Sequence, residues 1–451
     1  MKGCVGIVPL ILCLAVGTAW CDKREVAITV YNNDLGLVKD VREMDIDKGI
    51  SEISFTEVAS RIDPTSVHLS IEGDAAAILE QNYEYDLIST SKLLEKALEG
   101  RIEVYTKEDQ FFDGVLLAAD AQHLVLRRED GGINMVGREQ VVHVALPDLI
   151  EGLVTRPTLK WLLSGNKSGK RSVEVAYLTT GIQWHAEYIG VVDDADRNLD
   201  FSGWVSVDNR SGTTYPDAEL KLVAGDVRRV QPKRPVPKFD RTMAEAGVLE
   251  AGFAEEAFFE YHLYTLPRPT TIRDRQIKQI TLFPATRTAV TKQFRYDGAR
   301  HPRDVRVILE MKNDKESGLG MPLPAGTVRM YKRDLSGSLQ FIGEDRIDHT
   351  PRNEEIDLYI GNAFDVVGER RVVESRRITD RVREETYEIL LRNHKEEAVD
   401  IIVVEHFRRD WRILDSSHDY EKKDAYTVEF PIRVEADEEV KVTCRVRFGR
   451  G

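Results

Sequence analysis

Tyr426-Thr427-Val428-Glu429-Phe430-Pro431-Ile432-Arg433-Val434, followed shortly by Val440-Lys441-Val442-Thr443-Cys444-Arg445-Val446-Arg447-Phe448, decides the fold class. In the first segment Tyr426, Val428, Phe430, Ile432 and Val434 alternate with Thr427, Glu429, Pro431 and Arg433. In the second, Val440, Val442, Cys444, Val446 and Phe448 alternate with Lys441, Thr443, Arg445 and Arg447. Successive side chains of a strand point to opposite faces, so each segment carries one greasy face and one wet face. A parallel sheet buried on both sides would read as continuous apolar runs. The alternation therefore predicts antiparallel sheets stacked as a sandwich. Pro431 has no N–H to give to a ladder, which places its strand at an edge or a bulge.

The same grammar runs through most of the chain. Leu159, Trp161 and Leu163 share a face, as do Ala218, Leu220, Leu222 and Ala224. Near the start, Val26-Ala27-Ile28-Thr29-Val30 gives way to the turn residues Asn32-Asn33-Asp34, and residues 24–88 read as an N-terminal β region. Residues 155–230 form the first part of a sandwich, and residues 259–451 its remainder, ending in an Ig-like sandwich. Between them, Pro232, Pro235 and Pro237 and the Ala/Glu-rich stretch after them mark residues 231–258 as a flexible insertion, helical in part. The fold class expected is mainly β: multi-domain antiparallel sandwiches with an inserted small barrel and few short helices.

That barrel occupies residues 89–148. Leu93, Leu94, Ala97 and Leu98 recur at helical spacing, with Thr90 or Ser91 to cap the start and Gly100 to end it. Strands over 101–106, 111–118, 122–128, 132–136 and 140–146 follow. A short helix leading into five tight strands resembles the Sm-like or SH3-like small barrels, with Gly114 in a bend between strands. Sm-like proteins typically bind RNA, but residues 91–147 hold 7 Lys/Arg against 10 Asp/Glu, so a structural role is expected here.

The 451 residues carry a formal charge of -14, which argues against a nucleic-acid partner and against docking on anionic lipid. Residues 1–21 stand apart. Lys2 is the only charge before Asp22, and an apolar run from Val5 to Val16 is too short to span a bilayer. It suits a signal peptide cut after Ala19 or after Cys21, with Cys21 the acylated residue in a lipoprotein reading. The mature chain is then exported without a transmembrane span. Cys444, on an apolar strand face, reads as buried and inert.

Several segments beyond residue 155 carry a family likeness. They are Arg156-Pro157-Thr158-Leu159-Lys160-Trp161, Ala176-Tyr177-Leu178-Thr179-Thr180-Gly181-Ile182-Gln183-Trp184 and Leu220-Lys221-Leu222-Val223-Ala224-Gly225-Asp226. Gly318 to Arg329, and Arg392-Asn393-His394-Lys395 with Asp410-Trp411, complete the set. Together they resemble the bacterial mucoidy-inhibitor-A-like proteins, defined by a C-terminal domain of unknown function. Many of those carry a coiled coil before that domain, where this chain has its small barrel. The resemblance implies an envelope-associated β protein and brings no catalytic residues with it.

The search for chemistry returns little. Ser164 to Ser172 approaches a phosphate-binding loop, but Ser164 and Arg171 stand where that motif needs Gly and Ser/Thr, so a polar hairpin loop is expected. Gly318-Leu319-Gly320 precedes Pro322 and Pro324, which forbid a phosphate-holding helix and favour a rigid turn. Asp194, Asp196, Asn198 and Asp200 form the one oxygen-rich run with metal-like spacing, although Leu199 and Val205 replace the Gly and Glu of a calcium loop. Glu405 and His406 are strand neighbours and cannot act together. The run Arg370, Arg371, Arg376, Arg377, Arg381 and Arg383 either meets an acidic polymer or forms a solvated face matched by Glu369, Glu374, Asp380 and Glu384. Trp184, Trp204 and Trp411 either stack sugar rings or fill cores.

The expected function is an exported binding or scaffolding module of the periplasm or cell surface of a bacterium, with no catalysis and no cofactor. Its partner would be an envelope protein or a surface polysaccharide. The alternatives are a hydrolase of envelope glycans and an outer-membrane-associated polysaccharide binder. Against a lipid-facing barrel, Lys441, Arg445 and Arg447 occupy outward positions that lipid would need apolar.

Overall fold

The computed structural model describes residues 24–85, 90–146, 155–225, 227, 254–258, 261–408 and 410–449. Residues 1–21, expected to be a signal peptide, and the expected insertion up to residue 253 lie outside the described residues. Ala254–Phe258, the end of that insertion, is a strand antiparallel to Tyr261–Thr265, so the helical expectation fails there. The described residues are mainly β, in several antiparallel sheets, and their one α-helix is Thr90–Lys96. Among them no helix is long and apolar enough to cross a membrane. The chain divides into two compact units, residues 1–27 with 38–178 and residues 28–37 with 179–451.

In the first unit, Thr158–Gly165 lies between Gly49–Thr56 and Ala76–Glu84 and is antiparallel to both. Its period puts Leu159, Trp161 and Leu163 in the core, each fully buried. The Trp161 indole N–H donates to Gln81 Oε1 at 2.9 Å, which satisfies the ring's polar end. Gly169–Thr179 follows at once but pairs with His68–Ile71 in another sheet, so residues 166–168 form a polar turn between two sheets and not the hairpin loop expected.

The small sheet of this unit runs in the order Val141–Ala145, Arg101–Thr106, Phe111–Ala119, His123–Arg127, Ile133–Gly137, all antiparallel. Leu94 and Ala97, on and just after the helix, close its core against Ile102, Val104, Leu116, Leu124, Leu126 and Val136. Gly114 is not between strands, as expected, but inside Phe111–Ala119 and opposite Ile102. A Cβ there would stand 2.5 Å from the Arg127 carbonyl oxygen, so only glycine allows the two backbones to close.

The second unit holds one long sheet. Its order is Leu339–Ile347, Gly326–Arg333, Ile182–Val192, Asn198–Asn209, Gln276–Tyr296, Asp304–Lys312, Glu355–Arg377, Arg383–Asn393, Glu439–Phe448, Trp411–Ser416. Two pairings are parallel, Ile182–Val192 with Gly326–Arg333 and the end of Gln276–Tyr296 with Val399–His406. Partners so distant in sequence are joined by long crossovers, which local alternation cannot register. Thr427–Val434 pairs with Val399–His406 along its whole length, but on its other side only Val428 and Glu429 find partners, in Glu421–Lys422. Pro431 is thus exposed on an open edge, as its missing N–H requires.

The C-terminal strands close a two-layer core. Ile389, Leu391, Val442, Cys444 and Val446 pack with Val399, Ile401, Val403, Val428, Phe430, Ile432 and Val434. Each large side chain so buried contributes about 1.5–3 kcal/mol. Burial pushes the Cys444 thiol up to about 12, with Glu405 and Asp415 adding to it, so the thiolate is suppressed.

Candidate functional site

The inward face of Arg383–Asn393 outruns the core. Leu391, Ile389 and Tyr387 are buried, and the same period then brings Glu385 and Arg383 to that face. Opposite them stand Ser375 and Arg377, beyond a bulge between Val372 and Glu374. The turn joining the strands is fixed locally, Ile378 N–H donating to the Val382 carbonyl at 2.9 Å and Val382 N–H to Thr379 Oγ1 at 3.1 Å. The result is a cleft of about 650 Å³ at the open end of the C-terminal sandwich.

Four arginines line it, Arg377, Arg381, Arg383 and Arg408, against the carboxylates of Asp380 and Glu385. Arg377 reaches Asp380 at 2.5 Å and Arg383 reaches Glu385 at 2.9 Å. Arg381 and Arg408 are exposed and, among the described residues, pair with no carboxylate. The floor is aromatic. Phe407 lies 5.8 Å from Tyr387 and 5.9 Å from Phe448, and the Arg383 guanidinium stands 5.9 Å over the Phe448 ring. Gly449, at φ +95°, closes the back. A Cβ there would fall 2.0 Å from the Arg381 carbonyl oxygen.

A buried ion pair holds this floor in place. Arg370 donates to both Glu405 oxygens at 2.7 and 2.9 Å, with Glu405 1% exposed, and stacks 4.3 Å over the Tyr387 ring. The Tyr387 hydroxyl in turn donates to Glu385. Burial raises the Glu405 carboxyl above the ordinary glutamate range, and the Arg370 bond opposes this without reversing it. Burial alone would lower Arg370, but the bond to Glu405 and the Glu405 charge, with Tyr387 adding to them, together hold it above its usual range. His406 points the other way, its Nε2 3.1 Å from Asp297 Oδ2, as strand neighbours must.

The sequence candidates scatter. Trp184 is 1% exposed, donates to the Val223 carbonyl at 3.1 Å and packs edge-on to Tyr264. Trp204 pairs with Glu187 and Trp184 with Val207, so the two rings stand on opposite faces of one sheet. Trp411 donates to the Ala425 carbonyl at 2.8 Å and packs 5.2 Å from Phe407. No shared platform exists, because an even spacing from 184 to 204 says nothing about face once a turn intervenes.

The acidic run fails as a metal site. Asp193 Oδ1 accepts from the Arg197 and Asn198 backbones, and Asn198 Nδ2 donates to Asp193 Oδ2 at 2.7 Å, which shapes a turn. These bonds, the Asn198 amide foremost, hold the Asp193 carboxyl at about 2. Asp196 is taken by Lys292 at 2.8 Å and Lys332 at 2.5 Å. Asp194 and Asp200 are exposed. No group of three His, Cys, Asp or Glu among the described residues is placed to hold a metal.

The arginine run divides between the two readings. Arg371 is matched by Glu388 and Arg370 by Glu405, whereas Glu369 serves Arg392 and Glu384 serves Arg447. Sequence neighbours supply the Arg377–Asp380 and Arg383–Glu385 pairs. Arg408 and Phe448 were missed as site residues; the one signal was a second arginine beside Arg409 directly after an apolar strand. No family model matches the chain and no curated protein matches it, so the likeness to the mucoidy-inhibitor-A-like proteins rests on the quoted segments alone.

Proposed function

We propose that this chain is an exported, envelope-associated binding module that performs no reaction and takes an acidic polysaccharide in the arginine cleft. The observation that carries this is the pair Arg381 and Arg408, cations with no carboxylate partner among the described residues at a concave mouth, in a chain of net charge -14. An acidic protein repels acidic ligands unless it concentrates positive charge locally. Guanidinium groups match carboxylates with forked hydrogen bonds, and an aromatic floor accepts the apolar face of a sugar ring. Export is supported by the apolar stretch near the N-terminus, with its single early lysine. Asp380 and Glu385 already accept from arginines, an arrangement that suits fixing cations in place more than donating protons.

The test is calorimetric titration of the protein with polygalacturonate, with neutral dextran as control. Saturable binding that weakens with salt is expected for the polyuronate only. Arg381→Ala with Arg408→Ala should weaken it at least tenfold while leaving the melting temperature unchanged. Equal affinity for both polymers, or an indifferent double variant, refutes the reading.

A further inference from the structure

An exposed aromatic row crosses the five-stranded sheet of the first unit. Arg101–Thr106 alternates exposed with buried, so Ile102, Val104 and Thr106 face the core while Arg101, Glu103 and Tyr105 face outward. Tyr105, 40% exposed, lies opposite Phe111, 53% exposed, on one neighbouring strand and opposite His143 on the other. The ring centroids are 5.0 Å apart for Tyr105–Phe111 and 5.6 Å for Tyr105–His143. Aromatic rings are the side chains that gain most from burial, so three left open in a line mark a contact surface.

The surroundings of the row select its occupant. Glu103 accepts from the Tyr105 hydroxyl at 3.1 Å, while Asp113, opposite Glu103 on the next strand, is already ion-paired with Arg101. Residues 91–147 carry 10 carboxylates against 7 Lys/Arg. A ring face attracts cations, and a carboxylate fringe adds to that attraction. In an extended peptide every second side chain lies about 6.6 Å further along. That step is close to the ring spacing, so alternate cationic side chains reach successive rings.

We propose that the His143–Tyr105–Phe111 row docks an extended, lysine- or arginine-bearing segment of a partner protein. The surface is separate from the arginine cleft and opposite to it in charge preference.

The test is fluorescence anisotropy of the full chain with a labelled peptide alternating lysine and serine. A glutamate–serine peptide and a labelled oligouridine serve as comparison probes. Saturable binding of the lysine peptide alone is expected. Tyr105→Ser with Phe111→Ser should weaken it at least tenfold, although net charge is unchanged, and Glu103→Gln should weaken it severalfold. If the double variant melts early, Phe111→Leu, which keeps apolar surface but loses the ring, must still weaken binding at least threefold. Affinity indifferent to the loss of the rings would reduce the effect to diffuse attraction by an acidic chain and overturn the proposal. So would oligouridine binding that the ring substitutions abolish.

Discussion

The two consecutive strands Thr427–Val434 and Glu439–Phe448 and the strand Arg383–Asn393 of the hairpin with Glu355–Arg377 follow the same two-residue period, yet their inward faces end differently. In the first pair Val428, Phe430, Ile432, Val434, Val442, Cys444 and Val446 all enter one core. In the hairpin Leu391, Ile389 and Tyr387 enter that core, and Glu385 and Arg383 continue the face into the cleft. Along Arg383–Asn393 the period itself is unbroken, although its partner strand carries a bulge between Val372 and Glu374. What changes is whether an opposing layer stands in front of it. Where that layer stops, the alternation that builds a core builds a mouth instead, and the sequence fills it with arginine.

The strongest way to break this contrast is to remove one aromatic side chain from each region. Phe430 is fully buried, and Phe430→Ala should cost about 3–5 kcal/mol in urea denaturation. Phe448 is half-buried at the floor of the mouth, and Phe448→Ala should cost about 1 kcal/mol. Equal losses would mean that the mouth is packed like the core and offers no site.

This contrast also explains what was legible in advance. The alternation around Val428 and Val442 gave the strands and their buried faces directly, since a strand's faces are encoded in neighbours two residues apart. The arginine run was visible too, but its pairing was not. Glu405 meets Arg370 across 35 residues, Arg408 comes from just beyond the same strand, and Glu388 meets Arg371 only through the hairpin's register, information that no local pattern holds. The parallel pairing of Ile182–Val192 with Gly326–Arg333 was hidden for the same reason. The tryptophans left two readings open because residue type signals an aromatic ring but not the face it occupies, and the buried Trp184 follows the core reading.

A second prediction addresses how the hairpin is anchored. Glu405→Ala leaves Arg370 charged and poorly solvated, and should cost about 3 kcal/mol. Replacing both partners, with Arg370→Met and Glu405→Leu, should recover most of that loss, because the pair's burial is itself expensive. The double-mutant cycle, read by chemical denaturation, gives the coupling. A coupling below about 0.5 kcal/mol would show the hairpin to be held by its apolar neighbours alone.

Gly449 tests the mouth more locally. Its positive φ and its approach to the Arg381 carbonyl leave no room for a side chain. Gly449→Val should cost about 2 kcal/mol by thermal melting. It should also displace the turn that carries Arg381, weakening polyuronate binding more than the loss of fold stability explains. A variant that melts earlier but binds normally would detach the turn from the site.

The smallest effect is a difference of sign between two glutamates of this sandwich. On the outer face, Arg371 and then Lys441 hold Glu388 below the ordinary glutamate range of about 4.3. Its stabilising contribution is therefore present above about pH 4.3 and lost as pH falls through its lower folded value. Glu405, on the inner face, is raised by burial, with Arg370 only partly opposing. Folding favours its protonated form, so its contribution is present below about pH 4.3 and lost as pH rises through its higher folded value. Urea unfolding between pH 3 and 7 separates the two. The stability gap between wild type and Glu388→Gln should close on acidification, whereas against Glu405→Gln the wild type should lose ground as pH rises from about 4. Matching signs would mean that water reaches both faces of the hairpin alike, and the dry support beneath the arginine cleft would be gone.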